Sequence, residues 1–171
     1  FLGTATDTGW LRFSNVTSDT LRFMARLLDS GVDHPAIYER IEQQQKPTRP
    51  QLLGQMLSSL EYVLQGRVGI MSISDSRLRE LGAIGEDTGG FAEPVLSVAG
   101  VRVVATLTEM PVQPDGKPLV KVSLRSKPGP AAVDVAAIAQ KLGGGGHARA
   151  AGIKLRENLA SAKATLIHAL S

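Results

Sequence analysis

The sequence predicts an α/β protein with a mixed sheet, and three observations carry that expectation. Val101 to Met110 is a run rich in β-branched residues, of the kind that forms a well-buried strand. Val120, Val122 and Leu124 alternate with Lys121, Ser123 and Arg125, which is the two-residue period of a half-buried strand. Stretches with apolar residues at helical spacing lie before, between and after these strands, so the two kinds of element interleave.

In chain order, Phe1 to Thr6 is short, apolar and threonine-rich, which reads as the end of a buried strand with Asp7 at its tip. Strand ends are where an α/β sheet gathers ligand-binding groups. Thr17 or Ser18 caps a helix in which Leu21, Met24, Ala25 and Leu28 share a face before Gly31 stops it. Asp33 caps a second helix, with Pro35 near its first turn and Ile37 and Ile41 on one face. Gln43 to Pro50 is polar, and its two prolines forbid a continuous helix. The domain boundary is placed there, giving residues 1–45, a linker and connecting helix over 46–65, and a principal domain over 66–171.

Beyond the boundary, Leu53, Met56, Leu57, Leu60 and Leu64 form a helical stripe that Gly66 stops. Arg67 to Ser74 alternates as a strand, Asp75 caps a short helix through Leu81, Gly82 to Gly90 is loop-like, and Phe91 to Val98 reads as a broken helix. Pro114-Asp115-Gly116 is a turn joining the two strands of the opening argument, because proline presets φ and glycine accepts a left-handed conformation. Asp134 caps a helix with Val135, Ile138, Ala139 and Leu142 on one face. Ala151 to Leu155 is a last strand, and Leu159, Ala162, Leu166 and Leu170 mark a closing amphipathic helix.

Composition narrows the function. A chain of 171 residues with 43% hydrophobic and 20% charged residues can build a core and is not disordered. A net charge of +3 is too small to predict nucleic-acid binding by bulk electrostatics, so local clusters such as Arg125, Lys127 and Arg149 matter more than the total. The chain has no cysteine, which excludes thiol nucleophiles, disulfides and cysteine-rich zinc sites, and fits a cytoplasmic protein. No apolar run reaches the roughly 18 residues of a membrane helix, and no basic flank of a signal peptide opens the sequence.

The densest chemical signal is Gly143-Gly144-Gly145-Gly146-His147. Each glycine costs roughly 0.5–1 kcal/mol relative to alanine in ordered structure, so such a run persists where backbone turns left-handed or is approached closely. Convergent N–H groups seat an anion such as phosphate, and His147 at the rim can donate a further hydrogen bond. Arg125 ends the polar face of its strand and can grip phosphate through two parallel bonds or stack on a base. Ser126, Lys127 and Arg149 stand beside them in sequence. Read from the residues alone, the run can also be a flexible linker or helix C-cap, and the polar strand face can simply meet solvent. The run lacks the G-K-[ST] ending of a P-loop. Asp33-His34 is explained by a helix cap, and His168, near the end of the last helix, by the dipole.

Three ordered motifs carry a family resemblance. Gly143 to Gly152 resembles the G-G-G-G-H-x-x-A-A-G signature of the domain that accompanies the DHH phosphoesterases. Ser123-Leu124-Arg125-Ser126-Lys127 resembles the S-x-R-S strand end that precedes it, and Thr6 to Phe13 resembles the last motif of the DHH catalytic domain in the oligoribonuclease and phosphoadenosine-phosphate phosphatase branch. The resemblance implies a mixed-sheet DHH-associated domain with flanking helices over 66–171, preceded by a helical remnant of the catalytic domain over 1–45. It implies a manganese-dependent (or magnesium-dependent) phosphoesterase that degrades short oligoribonucleotides from the 3′ end and removes the 3′-phosphate of 3′-phosphoadenosine 5′-phosphate.

Within that family, Arg125, Ser126, Gly143, Gly144, Gly145, Gly146 and His147 would bind the substrate, and Asp7 would be one metal ligand. The family's H-x-D and D-H-H motifs have no counterpart here, so the chain looks like the C-terminal part of a longer enzyme and is expected to be inactive alone. Family members also pair through their catalytic domains, which implies a homodimer of the parent. Two related readings are a non-catalytic nucleotide- or RNA-binding module, as at the end of alanyl-tRNA synthetases, and a cyclic-dinucleotide hydrolase of the same superfamily.

Overall fold

The computed structural model describes residues 1–171, which fall into two compact units, Phe1–Lys46 and Pro47–Ser171. The first is helical. α1 spans Leu2–Asp7, α2 Ser18–Asp29 and α3 His34–Glu42. The Thr17 side chain accepts from Thr20 N–H in a capping box, and Asp33 accepts from Ala36 N–H. The strand expected at Phe1 to Thr6 is instead α1. A strand needs a neighbour for its N–H and C=O groups, and none pairs with this segment, so its polar groups are satisfied locally. The Thr6 and Thr8 hydroxyls donate back to Leu2 O at 3.0 Å and Thr4 O at 2.7 Å.

Past α1 the chain turns through three successive left-handed residues, Gly9, Trp10 and Leu11, at φ 56°, 56° and 66°. The turn is held by Trp10 Nε1–H, which donates to Glu42 Oε1 at 2.8 Å, and by the edge-on packing of Trp10 against Tyr38. At Gly9 the Phe13 ring packs against the backbone, where a Cβ would stand 2.4 Å from it and would displace that exposed side chain.

The second unit is a six-stranded sheet with helices on both faces. Its strands are β1 (Glu61–Val63), β2 (Val68–Ile73), β3 (Val103–Glu109), β4 (Val120–Ser126), β5 (Gly145–His147) and β6 (Ala150–Leu155), in the order β1-β2-β3-β4-β6-β5. Only β2 and β3 run parallel; every other neighbouring pair is antiparallel. The helices are α4 (Thr48–Ser58), α5 (Asp75–Glu80), α6 (Glu93–Leu96), α7 (Val135–Lys141) and α8 (Leu159–Leu170), with a 3-10 turn at Gly85–Thr88.

Strand alternation divides the apolar residues between two cores. On one face, Ile70, Ala105, Leu107, Val122, Leu124 and Ile153 pack beneath Ala139 of α7 and Ala162 and Leu166 of α8. On the other, Met71, Ile73 and Val104 pack beneath Leu52 and Met56 of α4, Leu78 of α5 and Phe91, Ala92 and Val95 around α6. This second cover reaches only β2 and β3, so β4, β6 and β5 leave that face open.

Three local expectations change. The helix expected through Leu64 ends at Ser58, because a hairpin through Leu64, Gln65 and Gly66 at positive φ returns Glu61–Val63 along β2 as β1. Pro47 and Pro50 do not interrupt α4, since they occupy its N-cap and first turn, where helix N–H groups have no intrahelical partner. The cap of α5 is Ser74, whose hydroxyl accepts from Arg77 N–H, rather than Asp75.

Candidate functional site

The open face is built row by row from strand register, because residues directly opposite one another on paired strands point to the same side. One row runs Val104, Arg125, Ala150, His147 across β3, β4, β6 and β5. The next runs Thr106, Ser123, Gly152, Gly145, and a third runs Thr108, Lys121, Lys154. Val104 belongs to the core beneath α4 to α6, which identifies the side on which all three rows lie. A cleft opens between these strands and the segment Gly85–Glu93, lined by Thr106, Thr108, Lys121, Ser123 and Arg125 on the sheet side.

Arg125 and His147 therefore share a face although 22 residues of sequence separate them, two strand spacings or about 10 Å apart. The hydrogen bond of the Arg125 guanidinium goes to the neighbouring Leu124 carbonyl at 3.2 Å, and no carboxylate pairs with it. Its remaining donors are open to a ligand. His147 is exposed at the end of β5, beside the two-residue turn Ala148-Arg149 that leads into β6.

The four glycines divide into separate tasks. Gly143, at φ 75°, ends α7, and the N–H groups of Gly143 and Gly144 donate to Gln140 O at 3.1 Å and Ala139 O at 2.8 Å. Those two amides are spent on the helix end and do not join an anion nest. A Cβ on Gly144 would stand 2.2 Å from Gly152 O, and one on Gly146, at φ 145°, would stand 2.4 Å from Ala150 O. The close approach that the glycines permit at these two positions is by the chain's own β6. Gly145 is different: its φ is not positive, and a Cβ there would meet nothing within 4 Å. Gly152, its partner across the ladder, would place a Cβ no nearer than 3.8 Å from Val122 O. Neither fold geometry nor crowding requires these two glycines, and together they leave a bare strip of backbone between the row of Arg125 and the row of Lys121.

Not every sequence candidate comes to this face. Ser126 is opposite Val103 and buried on the α7–α8 side, because it is one residue beyond Arg125 on a strand. Its N–H donates to Arg149 O at 3.1 Å and its hydroxyl makes a long 3.5 Å contact with Ala148 O. Val135 N–H also donates to Ala148 O, at 2.9 Å. Ser126 thus holds the turn that carries His147 instead of facing a ligand. Lys127 donates its ammonium to Val98 O at 3.0 Å, and Arg149 is exposed in the turn itself.

Asp7 is the exposed last residue of α1, and its backbone carbonyl accepts from Asn15 Nδ2 at 3.0 Å. No group of three or more His, Cys, Asp or Glu side chains is placed to hold a metal ion.

Sequence reasoning missed Thr106 and Thr108 as cleft residues and the wall over them. The wall is fixed by Arg49, whose guanidinium lies 4.6 Å from the Phe91 ring centroid and donates to Asp87 O at 2.7 Å and to Gly89 O. The alternation of β4 had already singled out Lys121 and Ser123; nothing local marks Gly85–Glu93 as their neighbour.

Residues 62–171 match the model of the DHHA1 domain. The chain belongs to the DHHA1 domain family. It is 36% identical over 154 residues to the bifunctional oligoribonuclease and PAP phosphatase NrnA of Thermus thermophilus, a match covering 90% of this chain and 43% of that protein. An exopolyphosphatase-related protein from Bacteroides fragilis has the same fold, with a TM-score of 0.85 at 23% identity, over 97% of this chain and 46% of that one. The chain thus spans less than half the length of the relatives it matches. All three motifs read from the sequence lie in the segments described above, with the G-G-G-G-H run and the S-x-R-S strand end inside the DHHA1 match. No helix is long and apolar enough to cross a membrane.

Proposed function

We propose that this chain is the substrate-binding part of a manganese-dependent (or magnesium-dependent) phosphoesterase that acts on short oligoribonucleotides and on 3′-phosphoadenosine 5′-phosphate. The observation that carries the reading is the row that sets Arg125 and His147 on one face, beside the bare backbone of Gly145 and Gly152. The similarity to NrnA over 90% of the chain supports the substrate class.

In this reading the Arg125 guanidinium donates two parallel hydrogen bonds to one phosphate. His147 donates from its imidazole on the far side, and Ser123 offers a hydroxyl between the rows. Ala150, lying between Arg125 and His147, is small enough to let a ribose–phosphate chain lie on the sheet. The wall Gly85–Glu93 closes the other side. A bound divalent metal would supply an activated water to the parent enzyme, and Asp7 is the one ligand to it that this chain offers.

The test is a titration of this chain with a dinucleoside monophosphate, whose single phosphodiester keeps a constant charge, followed by NMR. Signals of Gly145, His147 and Arg125 are expected to move, with weak affinity near the millimolar range, roughly −4 kcal/mol. Arg125→Ala is expected to abolish the shifts and Lys127→Ala to leave them. Unmoved signals at all three positions would mean that this face is not the ligand site.

A further inference from the structure

The cleft beneath Gly85–Glu93 has polar groups on its floor that the fold itself does not use. Thr106 and Thr108 are only 5% and 2% exposed, yet neither hydroxyl has a hydrogen-bond partner within the chain. No polar side-chain atom of this protein is both sealed from solvent and unpartnered, so each hydroxyl opens into the cleft that its residue lines. A buried strand has no need of these hydroxyls, because valine has nearly the same shape, and a hydroxyl left unpartnered in a buried place is destabilising. Two such groups, two residues apart on β3 and therefore on the same face, point to a ligand.

The wall supplies a complementary set. Its carbonyls are already used: Gly85 O accepts from Thr88 Oγ1 at 2.7 Å, Asp87 O and Gly89 O accept from Arg49, and those of Glu86, Thr88 and Gly90 accept from N–H groups within the segment. The acceptors that the wall still offers are the carboxylates of Glu86 and Glu93. Both residues line the cleft and make no ion pair, although Lys121 and Arg125 stand on its sheet side. An ionised carboxylate accepts hydrogen bonds and donates none. The cleft is therefore donating and cationic toward Arg125 and accepting toward the wall. Its inner end is narrow: a Cβ on Gly85 would stand 3.3 Å from the Thr108 methyl and 3.6 Å from Met110 Sδ.

We propose that this cleft is a nucleobase slot that prefers a base carrying an exocyclic amino group, with Thr106 and Thr108 on its floor and Glu86 and Glu93 as acceptors. The proposal rests on the functional reading above, in which Arg125 and His147 hold a phosphate. In strand order His147 lies on one side of Arg125 and the two threonines on the other, so the base extends away from the phosphate beneath the wall. A nucleotide is polarised in the same sense, anionic at its phosphate and donating at the amino edge of adenine, cytosine or guanine. Uracil presents two carbonyls and one ring N–H, and its carbonyls meet the carboxylates unfavourably. The threonine hydroxyls donate or accept, and so satisfy the ring nitrogen or carbonyl beside the amino group.

The experiment titrates the 171-residue chain, followed by NMR, with ribose 5-phosphate, with cytidine and uridine 5′-monophosphates, and with adenosine and inosine 5′-monophosphates. Within each nucleotide pair, size and phosphate charge are equal and an amino group is exchanged for a carbonyl. The amino-bearing member is expected to bind roughly three- to tenfold more tightly, the scale of one hydrogen bond, and ribose 5-phosphate more weakly than either. Glu86→Gln combined with Glu93→Gln is expected to bring the ratio close to one, because an amide donates as well as accepts, while tightening both members by removing repulsion of the phosphate. Thr106→Val is expected to hold or raise the thermal midpoint of the free chain, to weaken cytidine monophosphate binding about threefold and to leave ribose 5-phosphate binding unchanged. A threonine whose hydroxyl served the fold would lower the midpoint instead.

A preference in both pairs supports the slot, and a preference in one pair supports it for that ring size. If nucleotides bind through Arg125 and His147 but with equal affinity within each pair, the slot is wrong and the functional reading stands. A preference that survives both the glutamate substitutions and Thr106→Val places the amino group elsewhere and overturns the slot as well. If no ligand perturbs the face at all, both fall.

Discussion

The two units differ in what their amphipathic patterns achieve. In Phe1–Lys46 the α2 stripe of Leu21, Met24, Ala25 and Leu28 is as regular as any in the chain, yet only Met24 of it is buried, and Ala5 is the one other buried apolar residue of the unit. Phe13, Leu21, Phe23, Leu28, Tyr38 and Ile41 all stand exposed there. In Pro47–Ser171 the strands bury residues on both faces, and two clusters hold nearly all of the apolar core. An apolar stripe states which face wants cover. Burial requires a second surface, and most helical stability comes from that packing, not from the pattern.

The largest expected effect tests this contrast directly. Pro47–Ser171 produced alone should unfold in one cooperative denaturant transition followed by circular dichroism, whereas Phe1–Lys46 alone should show no cooperative transition, because so small a unit with so little buried surface is marginal. Equal cooperativity in the two would break the comparison.

Within the second unit, the glycine run offers a finer contrast between residues that the fold needs and one that it does not. Gly144→Ala and Gly146→Ala are expected to cost about 1–3 kcal/mol or more, since a methyl group there meets backbone of β6. Gly145→Ala should change stability by less than about 0.5 kcal/mol. It should nevertheless weaken nucleotide binding by adding a side chain to the bare strip. Chemical denaturation paired with NMR titration separates the two outcomes, and a Gly145→Ala variant that binds normally would remove the strip from the site.

The smallest effect lies at the β3–β4 turn. The Lys117 backbone N–H donates to Asp115 Oδ1 at 3.1 Å and Arg156 pairs with Oδ2 at 2.6 Å, and these hold the Asp115 carboxyl below its ordinary value of 3.8. A carboxylate whose pKa is lower folded than unfolded contributes stability that is present above the ordinary value and is lost as pH falls through the lowered one. Asp115→Asn should therefore lower stability slightly at neutral pH and flatten the acid limb of the stability profile below pH 3.8, so that the two proteins converge in acid. An unchanged acid limb would show that the exposed pair contributes nothing.

Much of the second unit was legible from sequence because its signals are local. The β-branched run of β3, the alternation of β4, the Asp134 cap of α7 and the stripe of α8 each declare an element without reference to anything distant. The failures occur where a pairing partner decides the outcome. Phe1 to Thr6 has strand-like composition but no strand beside it, and Glu61–Val63 looks like a helix end until β2 offers it an edge. Ser126 and Arg125 are adjacent candidates in the sequence, and the pleat sends them to opposite faces.

The sequence by itself determined the class of the fold, the second unit's main elements and the motifs that mark the DHHA1 family, since propensity, period and capping are properties of neighbouring residues. It also set out the polar side of β4, and hence Arg125. Only the tertiary structure decided that His147 and Arg125 lie in one row, that two of the four glycine amides are taken up by the end of α7, and that Lys121 stands directly opposite Lys154 two rows away from Arg125. Those facts depend on the register between strands brought together from 22 to 33 residues apart, and on which helices cover which half of a face. Register is fixed by the burial of the opposite side of the sheet, beneath α7 and α8, so the geometry of the cleft is set by a core that the cleft does not touch.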